Sequence, residues 1–199
     1  MSIINVGKPG LVEGINSLDL AIQGIKEVGK LIFDMAKILG LIKPDMDMHE
    51  LGDKVVQAES EGITPEKFDS YAAYVEAVEQ YEVDPKKTTK IPDEIKEMRG
   101  VEVAICLMVE KLADTPIVGF LEYVLANPDY FEDGKMELFS EKIKTDTVFI
   151  SDFVNYVFDN ERNTEKLKTI VDYLVGVEKK IYPDLSEKEA YKKVLNLRK

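Results

Sequence analysis

The chain contains an unbroken apolar run from Val103 to Val109, and this run constrains the fold more than any other feature. A segment that is apolar on every side must be covered by other parts of the protein on every side. Upstream, Pro92 and Asp93 are typical of a helix start, because proline fits the first turn and an acid favours the positive end of the helix dipole. The run therefore predicts a buried central helix over about residues 92–113.

A buried strand is the alternative interpretation of this run. Val101, Val103 and Ile105 are β-branched and alternate with Glu102 and Ala104, as residues in a strand do. The stretch that begins at residue 92 is about twenty residues long, however, whereas an ordinary strand has about five or six. The apolar positions over the whole stretch follow helical spacing, so we expect a helix: Ile95, Met98, Val101, Ile105 and Leu112.

Helical spacing and capping residues recur along the rest of the chain. Thr64 and Thr115 each combine a helix cap with a proline in the first turn, and Ser186 with Glu189 forms a capping box. We expect the helix after Thr64 to bury one stripe of residues: Phe68, Tyr71, Ala72, Val75 and Val78. The chain is therefore predicted to be all-α, a multi-helix globular bundle of about eight to nine helices around the central helix.

The first predicted helix covers about residues 14–39 and carries a broad apolar face. Gly29 lies on this face, where a small residue permits close approach of two backbones, and Gly40 followed by Pro44 ends the helix. The apolar positions recur at spacings of three and four, as in the seam of a coiled coil: Ile15, Leu18, Ile22, Ile25, Gly29, Ile32, Ala36 and Leu39.

Three roles suit this helix. Its apolar face can pack in the protein core, or it can dock onto a partner or onto a second copy of the chain, which would produce a homo-oligomer. Because Lys26, Lys30 and Lys37 lie on the opposite face, the helix also suits contact with an anionic membrane surface. Docking would use the apolar positions Ile15, Leu18, Ile22, Ile25 and Ile32.

The chain has 38 acidic and 26 basic residues and a formal charge of -12 at pH 7. This balance argues against nucleic-acid binding, because affinity for phosphates comes from lysine and arginine. It favours a basic protein partner, bound rapidly and in a salt-sensitive way, although a high net charge also keeps a protein soluble. Among the acids we take Glu76, Glu79 and Glu82 as candidates for binding that partner.

The charge is distributed unevenly along the chain. Residues 1–43 carry a net charge of +1, so residues 44–199 hold all of the net acidity. We therefore expect an N-terminal arm with its amphipathic helix over residues 1–43 and an acidic helical body over residues 44–199. The polar segment 83–91 contains Pro85 and is the best candidate for a hinge inside the body.

One acidic stretch near the single histidine has some character of a metal site. Asp45, Asp47 and His49 alternate in sequence, so they could share one side of an extended segment and bind a divalent metal ion. Asp47 followed by Glu50 also fits the start of a helix, with Asp47 as the capping residue. The capping interpretation is favoured, because further metal ligands at a suitable spacing are not evident.

The segment that begins at Asp129 is similar to the first half of a calcium-binding EF-hand loop. Asp129, Asp133 and Gly134 fit the first, fifth and sixth positions of such a loop. Phe131 stands at a ligand position, however, and Ser140 replaces the acid that binds calcium through two oxygens. We therefore expect an acidic turn here, with Asp129 and Asp133 as weak metal candidates.

Recognisable catalytic motifs are absent from the sequence. The chain has one histidine and one cysteine, and Cys106 lies inside the apolar run, where a thiol is usually buried and unreactive. Because the sequence shows neither a nucleophile–base pair nor a phosphate-binding loop, we expect neither an enzyme nor a bound cofactor.

These observations favour a non-enzymatic interaction protein of the cytoplasm. The N-terminal residues lack the pattern of a secretory signal, and no apolar run approaches the length that spans a bilayer. The leading hypothesis is an immunity or inhibitor protein whose acidic surface binds a basic toxin or nuclease. The alternatives are a structural or accessory helical protein, such as a phage or assembly component, that docks through residues 15–39, and a peripheral membrane protein that uses the same helix.

Overall fold

The computed structural model describes residues 26–198, and every regular element in that range is helical. The prediction of an all-α protein is therefore confirmed. The chain divides into two compact units, of which the first ends at Ala113 and the second begins at Asp114. The division after residue 43 and the hinge at 83–91 stay predictions, and a short helix forms within the latter segment.

The first unit contains five α-helices and one 3-10 turn within its described residues. They are α1 (Lys26–Ile38), α2 (Met48–Ser60), the 3-10 turn (Pro65–Lys67), α3 (Tyr71–Glu79), α4 (Pro85–Thr88) and α5 (Asp93–Lys111). α5 is the predicted central helix, and α1, α2 and α3 all pack against it. Every residue from Val103 to Val109 is at most 5% exposed, so the buried helix is confirmed and the strand alternative is excluded.

α1 packs its apolar face against α5. Four of its residues are fully buried: Val28, Ile32, Met35 and Ala36. A Cβ atom on Gly29 would lie 2.8 Å from a methyl carbon of Val101, so the absence of a side chain at this glycine makes room for the Val101 side chain rather than for a second backbone. The helix ends where predicted, because Gly40 adopts a φ of 74° and the N–H of Leu41 donates to the Ala36 carbonyl at 2.9 Å. Residues 14–25 of the predicted helix lie outside the described residues.

α2 and α5 approach until their backbones touch, and two glycines make this possible. A Cβ atom on Gly52 would lie 1.7 Å from the carbonyl oxygen of Lys96, and one on Gly100 would lie 2.2 Å from the carbonyl oxygen of Met48. No side-chain atom fits at these distances, so both positions require glycine. α2 and α5 consequently form the most extensive helix contact among the described residues.

α3 begins later than the sequence analysis predicted. The segment after Thr64 forms only the 3-10 turn, and Phe68 then adopts extended backbone with φ -121° and ψ 150°. The helix starts at Tyr71, because the Ser70 side chain accepts the N–H of Ala73 and caps it there. The predicted stripe is therefore wrong at Phe68, which is half-buried and precedes the helix, and at Ala72, which is exposed. The buried face consists of Tyr71, Tyr74, Val75 and Val78.

The second unit contains six α-helices within its described residues. They are α6 (Ile117–Ala126), α7 (Pro128–Phe131), α8 (Lys135–Thr145), α9 (Val148–Val157), α10 (Thr164–Ile181) and α11 (Glu187–Leu195). A helix begins near the start predicted after Thr115, but its first residue is Ile117 and the N-cap residue is Pro116, without a side-chain cap. The predicted capping box of Ser186 with Glu189 is confirmed.

Aromatic rings form the centre of this unit. The Phe139 ring is fully buried and meets the rings of Phe131, Phe149 and Phe153 edge to face, at centroid distances of 5.3, 5.4 and 5.2 Å. Edge-to-face pairs of this kind add to the gain from burying the rings alone. Because Phe139 lies on α8 while Phe149 and Phe153 lie on α9, these contacts join consecutive helices.

Substituting Gly52 with alanine should lower the free energy of unfolding by about 3 kcal/mol, because the added methyl group would collide with the α5 backbone. Gly176 is the matched control, since it is exposed within α10 and nothing lies within 4 Å of its Cβ position. Gly176→Ala should raise stability by about 0.5–1 kcal/mol, because alanine favours the helix. Urea denaturation followed by circular dichroism measures the free energy of unfolding of both variants. If the two substitutions changed it equally, the backbone contact at Gly52 would be contradicted.

Candidate acidic interaction surface

Residues 59–84 are strongly acidic and lie entirely in the first unit. They contain eight acidic residues and one base, Lys67. The stretch runs from the end of α2, through the 3-10 turn and α3, to the start of α4. We call residues 59–84 the acidic segment.

Two glutamates of the acidic segment are paired with bases of the same unit. Glu59 pairs with Arg99 of α5 and accepts a hydrogen bond from the Tyr74 hydroxyl at 2.9 Å. Burial, and then the charge of Glu59, raises the pKa of Tyr74 well above its usual value, so this hydroxyl stays a donor. Glu61 lies 2.7 Å from the Lys87 ammonium, and their hydrogen bond lowers the pKa of the Glu61 carboxyl. These charges are largely neutralised within the unit.

Glu79 and Asp84 are also engaged within the unit. The Glu79 side chain is only 9% exposed, and its carboxylate lies 2.7 Å from the Lys43 ammonium. The Asp84 carboxylate accepts the N–H of Lys86 at 2.9 Å and caps α4, while the Asp84 N–H donates to the Gln57 side chain at 2.8 Å. Neither carboxylate is free to meet a partner without losing a contact that it already makes.

The remaining four carboxylates of the segment are exposed. None of them forms an ion pair among residues 26–198, and we call them the acidic face: Glu66, Asp69, Glu76 and Glu82. Glu76 lies on α3, which is about 13 Å long, and the others lie in the segments before and after it. The charge of Lys43, which is paired with Glu79, also acts on Glu76. The four carboxylates therefore keep most of their negative charge available to a cation from outside the described residues.

α3 is held at its N-terminus by two side chains. The Ser70 hydroxyl accepts the N–H of Ala73 at 3.1 Å. From α5, the Glu110 carboxylate accepts the N–H of Tyr71 at 2.9 Å through one oxygen and that of Ala72 at 3.0 Å through the other. A negative charge at this position also suits the positive end of the helix dipole. Sequence reasoning missed Glu110, because it lies 39 residues from Tyr71 and no local pattern connects them.

The predicted partner-binding residues fall into three groups. Glu76 and Glu82 are exposed and belong to the acidic face, whereas Glu79 is paired with Lys43. Ile32 is fully buried in the first unit, where α1 packs against α5. Four more of the predicted residues lie outside the described residues: Ile15, Leu18, Ile22 and Ile25.

None of the helices in residues 26–198 has both the length and the apolarity that crossing a bilayer requires.

The structure gives the side chains near the single histidine other roles. Asp47 accepts the N–H groups of His49 and Glu50 at 2.9 and 3.1 Å, so it caps α2 as the capping interpretation predicted. The His49 ring lies 2.8 Å from the carboxylate of Asp93, and this hydrogen bond lowers the pKa of Asp93. Asp45 is exposed. Asp47 and His49, two of the three candidate metal ligands, therefore already have hydrogen-bond partners.

The segment that begins at Asp129 forms α7 and a tight turn. Asp129 is exposed, whereas Phe131 is fully buried in the aromatic core and cannot face an ion. Asp133 adopts a positive φ of 56° and accepts a hydrogen bond from the Tyr182 hydroxyl at 2.6 Å. Among the residues that the structure describes, no three histidine, cysteine, aspartate or glutamate side chains are arranged to hold a metal ion.

The second unit contains a buried charge cluster that the sequence analysis did not identify. Glu178 is fully buried, and the ammonium groups of Lys135 and Lys193 lie 3.0 and 3.4 Å from its two oxygens. Lys135 also lies over the rings of Tyr130 and Tyr182 at 4.5 and 5.0 Å. The Lys135 side chain is only 5% exposed, whereas that of Lys193 is 47% exposed, and the two ion pairs fasten α8 and α11 onto α10.

Comparison with known proteins finds no counterpart for this chain: no family model, no curated protein and no solved structure matches it. Its function must therefore be argued from its own residues and their contacts.

Replacing Glu110 with alanine should lower the free energy of unfolding by about 1–2 kcal/mol, because two N–H groups at the start of α3 lose their acceptor. Lys111→Ala is the matched control, since Lys111 is the next residue and is exposed. The control should change stability by less than about 0.5 kcal/mol. Hydrogen exchange at Tyr71 and Ala72 should accelerate in Glu110→Ala, and unchanged exchange there would contradict this cap.

Proposed function

We propose that the protein is a non-enzymatic interaction protein of the cytoplasm, that its acidic face binds a basic partner protein, and that this binding inhibits the partner. The observation that carries the proposal is the acidic face itself. Four exposed carboxylates form no ion pair among the described residues, while their neighbours Glu59, Glu61 and Glu79 are already paired.

Electrostatics explains why this surface suits a basic protein. Exposed carboxylates of one sign raise the local concentration of positive surfaces and accelerate their association. They also lose little on binding, because no existing ion pair within the described residues must first be broken. A toxin or nuclease that binds phosphates presents lysine and arginine, and the same side chains can bind carboxylates spaced along a helix.

A firm attachment of α3 makes the acidic face suitable for inhibition. The helix buries Tyr71, Tyr74, Val75 and Val78, and its N-terminus is capped from α5 by Glu110. A surface that is already ordered loses little conformational entropy when it binds, and this favours a tight complex. Such a complex can block the basic surface of the partner.

The buried state of α1 favours the acidic face over docking through the first helix. Val28, Ile32, Met35 and Ala36 are fully buried, so the described part of α1 does not offer an unoccupied apolar face. Assembly through residues 15–25 stays a prediction, because these residues lie outside the described range.

Affinity capture with charge-neutral variants tests the proposal. The test variant carries Glu66→Gln, Asp69→Asn, Glu76→Gln and Glu82→Gln. The control variant removes the same number of exposed charges from the second unit: Asp114→Asn, Asp129→Asn, Glu132→Gln and Asp172→Asn. From an extract of the native host, wild type and control should retain the same basic protein, and the test variant should not.

Salt dependence and partner activity provide the decisive readouts. Retention should fall between about 0.1 M and about 1 M salt, over which the Debye length shortens from about 10 Å to about 3 Å. The purified partner should then lose its activity when it is mixed with the protein in equimolar amounts. Equal retention by the test variant and the wild type would refute the acidic face as the binding site, and an undiminished partner activity would refute inhibition.

A further inference from the structure

α11 is fixed to the second unit along its inner face. Ala190, Val194 and Leu197 are buried there. The hydroxyls of Tyr123 and Tyr156, both buried, donate to the carbonyl oxygens of Leu197 and Val194 at 2.7 and 3.0 Å. These bonds satisfy carbonyls near the end of a helix, which otherwise lack partners. The last turn of α11 is therefore held in place.

Two further contacts fix the orientation of this helix. Its N-terminus is closed by the capping box of Ser186 and Glu189. On the side that faces α10, the Lys193 ammonium lies 3.4 Å from the buried carboxylate of Glu178 and 4.1 Å from the centre of the Tyr182 ring. The outer face of α11 is therefore presented in one orientation before anything binds to it.

That outer face combines exposed apolar groups with positive charge. Tyr191 and Leu195 are four residues apart and are 48% and 43% exposed, so together they form a small apolar patch. Lys188 and Lys192 flank them and have no acidic partner among the described residues. A shallow concavity of about 600 Å³ is lined by these side chains together with Ser186 and Glu189. We call Lys188, Tyr191, Lys192 and Leu195 the basic face.

The same unit carries a surface of complementary character on α8 and at the start of α9. Residues 114–141 contain seven acidic residues and a single base, Lys135, which is buried against Glu178. Glu137 and Glu141 are four residues apart on α8 and are exposed. Val148, at the start of α9, is 61% exposed. Lys142, which is paired with Asp146, and Lys144 lie in the last turn of α8 and limit its acidic part to the first two turns.

We propose that the basic face of α11 binds the surface formed by Glu137, Glu141 and Val148 on a second copy of this chain. Lys188 and Lys192 are separated by one helical turn, and so are Glu137 and Glu141, so two ion pairs can form between two helices laid side by side. Tyr191 and Leu195 then cover Val148. This contact uses three of the four large apolar side chains that are exposed in residues 28–198.

The contact is expected to be weak and to depend on local charges. A nine-residue helix buries a small area, which places the interface at the low end of those seen between proteins. Two copies that each carry a net charge of -12 repel one another at long range. At about 0.15 M salt the Debye length is only about 8 Å, so the oppositely charged groups in direct contact decide the outcome.

A charge-swap experiment tests this pairing. One variant carries Lys188→Glu with Lys192→Glu, and the other carries Glu137→Lys with Glu141→Lys. Alone, each variant brings like charges together, so its association constant should be at least about tenfold lower than that of the wild type. Mixed in equal amounts, the two variants again bring opposite charges together, because the unchanged Lys188 and Lys192 of one meet the unchanged Glu137 and Glu141 of the other and the two substituted surfaces also match. Association between the variants should therefore return.

Sedimentation equilibrium at about 0.15 M salt, up to about 1 mM protein, measures these constants. Lys86→Glu with Lys90→Glu is the matched control, since it reverses two exposed lysines of the first unit and should leave association unchanged. Leu195→Ser should weaken association without changing charge. Circular dichroism verifies that each variant is folded.

Three results would overturn the proposal. The first is a wild type that remains monomeric throughout the concentration range. The second is a mixture of the two variants that associates no better than either alone. The third is a Glu137→Lys, Glu141→Lys variant that associates more strongly than the wild type, because net charge rather than the named contact would then control association.

Discussion

The direct contact between the backbones of α2 and α5 is the constraint on which the first unit depends. At Gly52 and Gly100 no side chain separates the two helices, so their positions are fixed relative to one another. Once these helices are in contact, the remaining apolar surface of α5 must be covered by other elements. α1 and α3 both pack against α5 and supply that cover.

The position of α5 in turn determines the arrangement of the acidic segment. Arg99 projects from α5 to Glu59 and neutralises one of its carboxylates, while Glu110, three turns further along, caps α3. α5 therefore provides both Arg99, which neutralises Glu59, and Glu110, which caps the helix that carries Glu76. The net charge that the acidic segment exposes thus depends on contacts that its residues make with α5.

Features that depend on neighbouring residues could be predicted from the sequence, and features that join distant residues could not. The apolar run around Cys106 predicts burial, and Gly40 predicts the end of α1, because both signals lie within a few residues. α3 begins at Tyr71 rather than after Thr64 because Ser70 caps it there, and the Glu110 contact that also holds this start comes from far along the chain and could not be predicted. For the same reason the sequence predicted candidate acids such as Glu76 and Glu79 but could not show that Glu79 forms an ion pair with Lys43.

The distinction between paired and unpaired carboxylates matters more for binding than the net charge does. A carboxylate such as Glu79 is already satisfied by Lys43, so a partner that competes for it gains only the difference between two ion pairs. Glu76 and Glu82 form no ion pair among the described residues, so a partner need not break one to bind them, although the charge of Lys43 already acts on Glu76. In the two proposed complexes a basic partner supplies the cations for the acidic face, whereas α11 of a second copy supplies those for Glu137 and Glu141.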